Sequence, residues 1–430
     1  CSSDLFVLLA VWLSVAAVQA FSSGYGPEKV VQHSGYIRVN ETDDTNLFFW
    51  FFESRNAPAT DPVILWLTGG PGCSSILALL SENGPYRMKP NSTDLIINPY
   101  SWNEKANVLY VDQPVGTGFS YSNTSKDYAH NEKKIAEDMY NFLKEFLQAF
   151  PKYANLKFAV TGESYAGHYI PALSARIVAG NAAGQGPKIN FAGAAIGNGW
   201  TDPKIQYGAY ITYAKDNQLI SNTLAEELAP VYDACKLAID SHVFIVALDV
   251  CQAGILEVIM EDIHLHRGAP MNPYNIHANC TYPPLCYDFQ SQDTLLNTPE
   301  VQKALGVTKK WASCNMEVHT FLLGDWITNM DANVVSVLDS DIQVMVYSGD
   351  YDFICNWEGG ADWVFATPWK SQKEFVAAPI EQWKVNGELA GWTKQYENFK
   401  FVRVHKAGHM VPLDQPANAL AMINEFLSSL

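Results

Sequence analysis

The stretch LKFAVTGESYAGHY, residues 156–169, decides how the rest of the chain is read. Its first half, LKFAVT, is a short apolar run of the kind found in strands buried on both faces. Its second half sets Ser164 between Gly162 and Gly167 directly after that strand. Small residues are needed where a backbone folds back sharply, and such an elbow between strand and helix lifts a side chain clear of the sheet. The strict G-x-S-x-G spacing is broken by Ala166. Ser164 is therefore a candidate nucleophile, and a serine hydroxyl reacts only when a base removes its proton and an acid orients that base.

Working outward, four further runs read as buried strands: VILWLT at 63–68, ANVLYV at 106–111, FAGAAI at 191–196 and IQVMVYS at 342–348. FKFVRV at 399–404 adds another before a terminal helix that starts near Pro416, and SGYIRV and NLFFWFFES bracket the turn-prone NETDDT as an N-terminal hairpin. Ile135, Met139, Phe142, Leu143, Phe146, Leu147 and Phe150 recur in steps of three and four and share one helix face. Strand, helix and strand in succession imply a mostly parallel sheet covered by helices, because a parallel crossover needs a long connection. Between roughly Asp202 and Met316 this regularity breaks down, and Cys235, Cys251, Cys280, Cys286 and Cys314 sit there, with the Pro-rich NCTYPPLC. That stretch reads as a disulfide-stapled insertion, or cap, over the sheet.

Two later strand ends supply partners for Ser164. Asp352 lies in YSGDYDFICNW after IQVMVYS, and His409 lies in HKAGHMVP after FKFVRV. The order Ser, Asp, His is that of α/β-hydrolases. On spacing alone Asp350 competes with Asp352, and His405 with His409. In WLTGGPGCSS, Gly69 and Gly70 would let backbone N–H groups approach a substrate, and one of them with the Tyr165 N–H could form an oxyanion hole. An ordinary Gly-Pro turn also explains that segment.

The chain has 430 residues, 48% of them hydrophobic, enough for a large core. Its 28 basic and 45 acidic residues leave a formal charge of −17, which disfavours nucleic acid and anionic membranes as partners. LFVLLAVWLSVAAVQA, residues 5–20, reads as a signal peptide cleaved after Ala20, being shorter than the roughly 20 apolar residues of a membrane span. It lacks an initiating Met, so the first residues of the leader are expected to be missing. With the leader removed, no membrane span is expected in residues 21–430, read as one hydrolase domain with an insertion at roughly 202–316. Asn40, Asn91, Asn123 and Asn279 stand in glycosylation triplets. Seven cysteines remain after the leader, an odd number that leaves one thiol over, and their spacing is not that of a zinc site.

WLTGGPGCSS, DQPVGTGFSY, TGESYAGHYIP, IGNGWTDP, YSGDYDFICNW and GHMVP together resemble the serine carboxypeptidase family, in order and over nearly the whole chain after the leader. The resemblance implies an α/β-hydrolase fold and a catalytic triad of Ser164, Asp352 and His409, choosing Asp352 over Asp350. It implies an oxyanion hole from the N–H groups of Gly70 and Tyr165, and a grip on the substrate's terminal carboxylate by Trp66, Thr68, Gly69, Glu82 and Glu163. Thr68 departs from the Asn common at that position, and its hydroxyl can still donate a hydrogen bond. Cys355 would be the free thiol lining, with Met410, the substrate pocket. The remaining cysteines would pair as Cys73–Cys314, Cys235–Cys251 and Cys280–Cys286.

The implied activity is removal of single C-terminal residues from peptides and proteins through an acyl-enzyme, without metal or cofactor. Carboxyl groups gathered around a carboxylate cannot all be ionised, so activity is expected at acidic pH. The implied location is the secretory pathway, either vacuole or lysosome or outside the cell, and a homodimer stays open. Two other readings of the same scaffold are an acyltransferase, in which an alcohol accepts the acyl group, and a binding or protective protein with silent chemistry.

Overall fold

The computed structural model describes residues 19–21, 25–40, 44–90 and 92–430. The expected leader lies outside these residues apart from Gln19 and Ala20, and Asn91 lies outside them as well. The main sheet has eleven described strands. In chain order they are β1 Gln19–Phe21, β2 Gln32–Arg38, β3 Asn46–Phe52, β4 Val63–Thr68, β5 Asn107–Val111 and β6 Phe158–Ser164, followed by β7 Phe191–Gly199, β8 Gln343–Gly349, β9 Glu381–Val385, β10 Glu388–Tyr396 and β11 Phe399–Val404. Their spatial order is β1-β2-β3-β5-β4-β6-β7-β8-β11-β10-β9. The six strands from β5 to β11 in that order pair in parallel, and antiparallel strands flank them on both sides.

Successive side chains of a strand point to opposite faces, and the aromatic run of β3 divides accordingly. Phe49 and Phe51 enter one core, while Phe48, Trp50 and Phe52 enter the other. Strand β4 splits the same way, Val63, Leu65 and Leu67 against Ile64 and Trp66. Because both faces are covered, these strands read as unbroken apolar runs rather than alternating ones.

Helices α2 (Glu132–Ala149) and α3 (Ala166–Ala182) cover the first face. The Asn131 side chain caps α2 by accepting from the Lys134 N–H, and the helix ends before Pro151, which cannot continue it. Its apolar stripe rests on β3, with Phe146 at 5.5 Å from Phe49 and 5.6 Å from Phe51 between ring centroids. The second face is covered by α1 (Ile76–Ser81) and the terminal helix Pro416–Ser429.

Two elements differ from the sequence expectation. Strands β9 and β10 form an antiparallel hairpin, turned at Asn386 and Gly387, both with positive φ. Asn-Gly is the pair such a turn prefers, because its twist requires φ > 0 at both positions. Between β7 and β8 the chain is also more regular than expected, with long helices Pro203–Asp216 and Asn222–Asp240 and a wide-turned segment at Asp249–Glu257. Three disulfides tie the fold: Cys73–Cys314, Cys235–Cys251 and Cys280–Cys286. The first fastens the loop after β4 to the segment between β7 and β8. Among the described residues, no helix is long and apolar enough to cross a membrane.

Phe146→Ala removes a fully buried ring from the packing between α2 and β3. We expect a loss of about 3–5 kcal/mol, seen as a lower midpoint in thermal or denaturant unfolding. The half-buried Phe150 should cost less when truncated in the same assay.

Candidate active site

Ser164 ends β6 with φ of 65°, a left-handed conformation that non-glycine residues rarely adopt. Tyr165 follows at the N-cap position of α3, so the chain turns from strand to helix within two residues. Neighbouring backbone enforces the turn. A Cβ on Gly162 would stand 2.1 Å from the Leu67 carbonyl oxygen on β4, and a Cβ on Gly69 would stand 2.3 Å from the Tyr165 nitrogen. The loop after β4 therefore lies against the elbow, and only glycine permits that approach. Across the sheet, the Trp200 N–H donates to the Ser164 carbonyl at 2.9 Å.

Asp352 and His409 come from the loops after β8 and β11. The His409 imidazole Nδ1 lies 2.8 Å from Asp352 Oδ2. Asp352 is fully buried, and its carboxylate also accepts from Asn198 Nδ2 at 2.8 Å and from the backbone N–H groups of Ile354 and Cys355. A buried carboxylate survives only when its oxygens are satisfied in this way. The His409 N–H donates to the Tyr274 carbonyl at 2.8 Å, which orients the loop. Asp350 is engaged elsewhere, with Arg403 and the Lys406 N–H. His405 is held through its backbone to Ala390 and is not brought to the serine side.

Ser164 and His409 share the wall of one cavity of about 380 Å³ with Thr68, Gly70, Glu163 and Met410. Thr68 and Glu163 are register partners on β4 and β6. The Trp66 indole donates to the Thr68 oxygen at 3.0 Å, leaving the Thr68 hydroxyl proton free to donate. Behind Glu163 lies Glu82, the C-cap residue of α1, and both carboxyls are buried. Burial pushes both well up from the ordinary carboxyl range, and for Glu163 the neighbouring Glu82 adds to the rise. Among the described residues nothing donates to either Glu82 oxygen, so burial beside Glu163 favours the protonated form. The rest of the wall is mostly apolar, including Leu248, Leu256, Leu323, Trp326 and Ile354, and among the described residues no Lys or Arg lines it.

Trp66, Gly69, Glu82 and Tyr165 stand directly behind the cavity surface rather than on it. So does Cys355, a buried free thiol whose place on the wall is taken by Ile354. Asp352, Cys355 and His409 have donor atoms within 4.8 Å of one another, the composition of a metal site. The carboxylate, however, is committed to the imidazole, Asn198 and two N–H groups.

Sequence reasoning missed Asn198 and Asp112, although both stand in quoted motifs. Asp112 accepts from Ser74 Oγ at 2.5 Å and from the N–H groups of Ser75 and Phe119, pinning the loop that carries Gly69 and Gly70. Asp414 and Tyr287, which both act electrostatically with the buried carboxyls, carried no local signal.

The profile of the serine carboxypeptidase family matches residues 24–429. Serine carboxypeptidase-like 48 of Arabidopsis thaliana is 42% identical over 423 residues, spanning 96% of this chain and 81% of the relative. Serine carboxypeptidase S10 family member 1 of Dictyostelium discoideum is 40% identical, over 93% of this chain and 94% of its own length. Among solved structures, a prohormone-processing carboxypeptidase from Saccharomyces cerevisiae superimposes with a TM-score of 0.83 at 28% identity, covering 95% of this chain and 94% of its own.

Gly162→Ala should destabilise the chain by about 1–3 kcal/mol, because the added methyl must displace the β4 backbone. A thermal melt unchanged from the parent would show that the elbow tolerates a side chain there.

Proposed function

The chain belongs to the serine carboxypeptidase family and is a serine-type hydrolase of C-terminal peptide bonds, and from that premise we propose that Ser164, Asp352 and His409 are its catalytic triad. The observation that carries this reading is the meeting, in one cavity, of an elbow serine and an Asp-paired histidine with the buried carboxyl of Glu163. Ser164 Oγ attacks the last peptide carbonyl while His409 takes its proton. The N–H groups of Gly70 and Tyr165 receive the oxyanion, and each such donor is worth about 10²–10³ in rate elsewhere. His409 then protonates the departing amine, and a water activated by the same imidazole releases the acyl group. Asp352 keeps the imidazole in the required tautomer and balances its charge.

Glu163, with Glu82 behind it, and the Thr68 hydroxyl bind the terminal carboxylate, Trp66 and Gly69 supporting them. An ionised substrate carboxylate is attracted only while the glutamate pair carries protons to donate. As pH rises through the titration of the pair, those protons are lost and two negative groups face a third. Binding therefore weakens upward in pH, and we place the working range in acid. The mostly apolar wall, whose ionisable acid and bases among the described residues are Glu163, His319 and His409, favours apolar residues on both sides of the scissile bond. Entry into the secretory pathway fits the acidic balance and the exposed acceptors Asn123 and Asn279.

Release of a free amino acid from an N-blocked dipeptide, followed from acidic to neutral pH, tests the assignment. Ser164→Ala should lose activity by on the order of 10⁴-fold or more, and a C-terminally amidated substrate should be a poor one for the parent. An amide cleaved as well as the acid would remove the carboxylate site from this account. Glu82→Gln cannot ionise, so its KM should rise less with pH than the parent's, and a parental profile would refute the role of the pair.

A further inference from the structure

Arg87 is a cation for which the reaction above has no use. It lies on the short strand Tyr86–Met88, just after the helix end that presents Glu82. Its Nη2 donates to the Pro412 carbonyl at 3.3 Å, in the turn that follows His409, and its Nε is shut off from solvent with no hydrogen-bond partner. The side chain lines a second cavity of about 260 Å³ together with Leu80 and Ser81, which lead into Glu82, and Leu413, which leads into Asp414. The guanidinium is thus wedged between the two segments that deliver Glu82 and His409 to the substrate cavity, and it reaches them from outside that cavity.

We propose that Arg87 is a positioning residue for carboxylate recognition, its fixed charge behind Glu82 setting the pH at which the glutamate pair gives up its proton and lets go of a C-terminus. This inference rests on the reading of Glu82 and Glu163 as the carboxylate-binding pair. The groups facing Glu82 are Glu163 from β6, His409 and Asp414 from the C-terminal segment, Arg87, Tyr110 from β5, Tyr347 from β8 and Tyr287 from the segment between β7 and β8. Of these, Arg87 alone carries a permanent positive charge. The three tyrosines are kept neutral by burial. Asp414 disfavours ionisation of Glu82, while Arg87 favours it, and Glu82 in turn supports the charge of Arg87.

The sign follows from this balance. A cation beside a carboxyl lowers the pH at which its proton leaves, so the parent loses its grip on the substrate at a lower pH than a protein without that cation. Arg87 therefore narrows binding toward acid. Without it the pair would keep its proton, and its hold on product carboxylates, further toward neutrality.

The test is the pH dependence of kcat and KM for an N-blocked dipeptide in the full chain, comparing the parent, Arg87→Gln, Arg87→Lys and Glu82→Gln. In Arg87→Gln the limb on which KM climbs should move up by about half to one pH unit, so that KM on that limb falls about three- to tenfold below the parent's. Arg87→Lys keeps the charge and should keep the parental limb, and it stands in if the glutamine variant does not fold. A limb unmoved in Arg87→Gln, or one moved as far by lysine as by glutamine, overturns the proposal. A fall in kcat with the limb in place also overturns it, since Arg87 would then serve only to brace Pro412. If Glu82→Gln abolishes the limb while Arg87→Gln leaves it alone, only the role of Arg87 fails. If Glu82→Gln leaves the parental limb untouched, the reading of the carboxylate pair fails first.

Discussion

The rest of the structure depends on how closely three backbone segments approach one another at the Ser164 elbow. The left-handed serine is a strained conformation of the kind that costs of order 1–3 kcal/mol and persists only where the surroundings over-determine it. Here Gly162 lies against the β4 backbone, Gly69 lies against the Tyr165 nitrogen, and the Trp200 N–H holds the Ser164 carbonyl. The parallel sheet makes these contacts coincide, because β4, β6 and β7 are hydrogen-bonded neighbours that all end at the same edge. The Asp352 and His409 loops leave β8 and β11 at that edge too. One architectural fact, parallel strands finishing together, therefore brings Ser164, His409, Asp352 and the glycine loop to one edge.

Charge is managed differently on the two sides of that edge. Asp352, in a fully buried place, is surrounded by four partners, one of them the imidazole it orients. Glu82 and Glu163 have no such donors, and desolvation keeps protons on them instead. The two sets of acids thus have opposite surroundings, one given hydrogen-bond partners and the other deprived of them. That difference underlies the proposed division of labour, an acceptor for histidine on one side and donors for a substrate carboxylate on the other.

Much of this was legible in the primary structure. The buried strands, the amphipathic α2, the elbow and the order of Ser164, Asp352 and His409 follow from periodicity and from residues adjacent in the chain. The β9–β10 hairpin was legible at Asn386–Gly387 and was passed over. The helices between β7 and β8 were obscured by the cysteines and prolines among them. Asn198 stands in a quoted motif, yet its partner Asp352 is 154 positions away, and no local rule joins the two. Cys355 was assigned to the pocket wall, whereas its neighbour Ile354 occupies that place, because a turn and not the linear order decides which side chain faces inward.

By itself, the sequence determined which residue types could do chemistry and on which strand ends they stood, since those properties are set by composition and spacing within a few residues. Only the tertiary structure decided between Asp350 and Asp352 on physical grounds, through the 2.8 Å contact with His409, and only it set Glu82 behind Glu163 and Arg87 behind Glu82. Desolvation and charge coupling belong to groups that are close in space and shielded from water, and a linear order of residues contains neither distance nor burial.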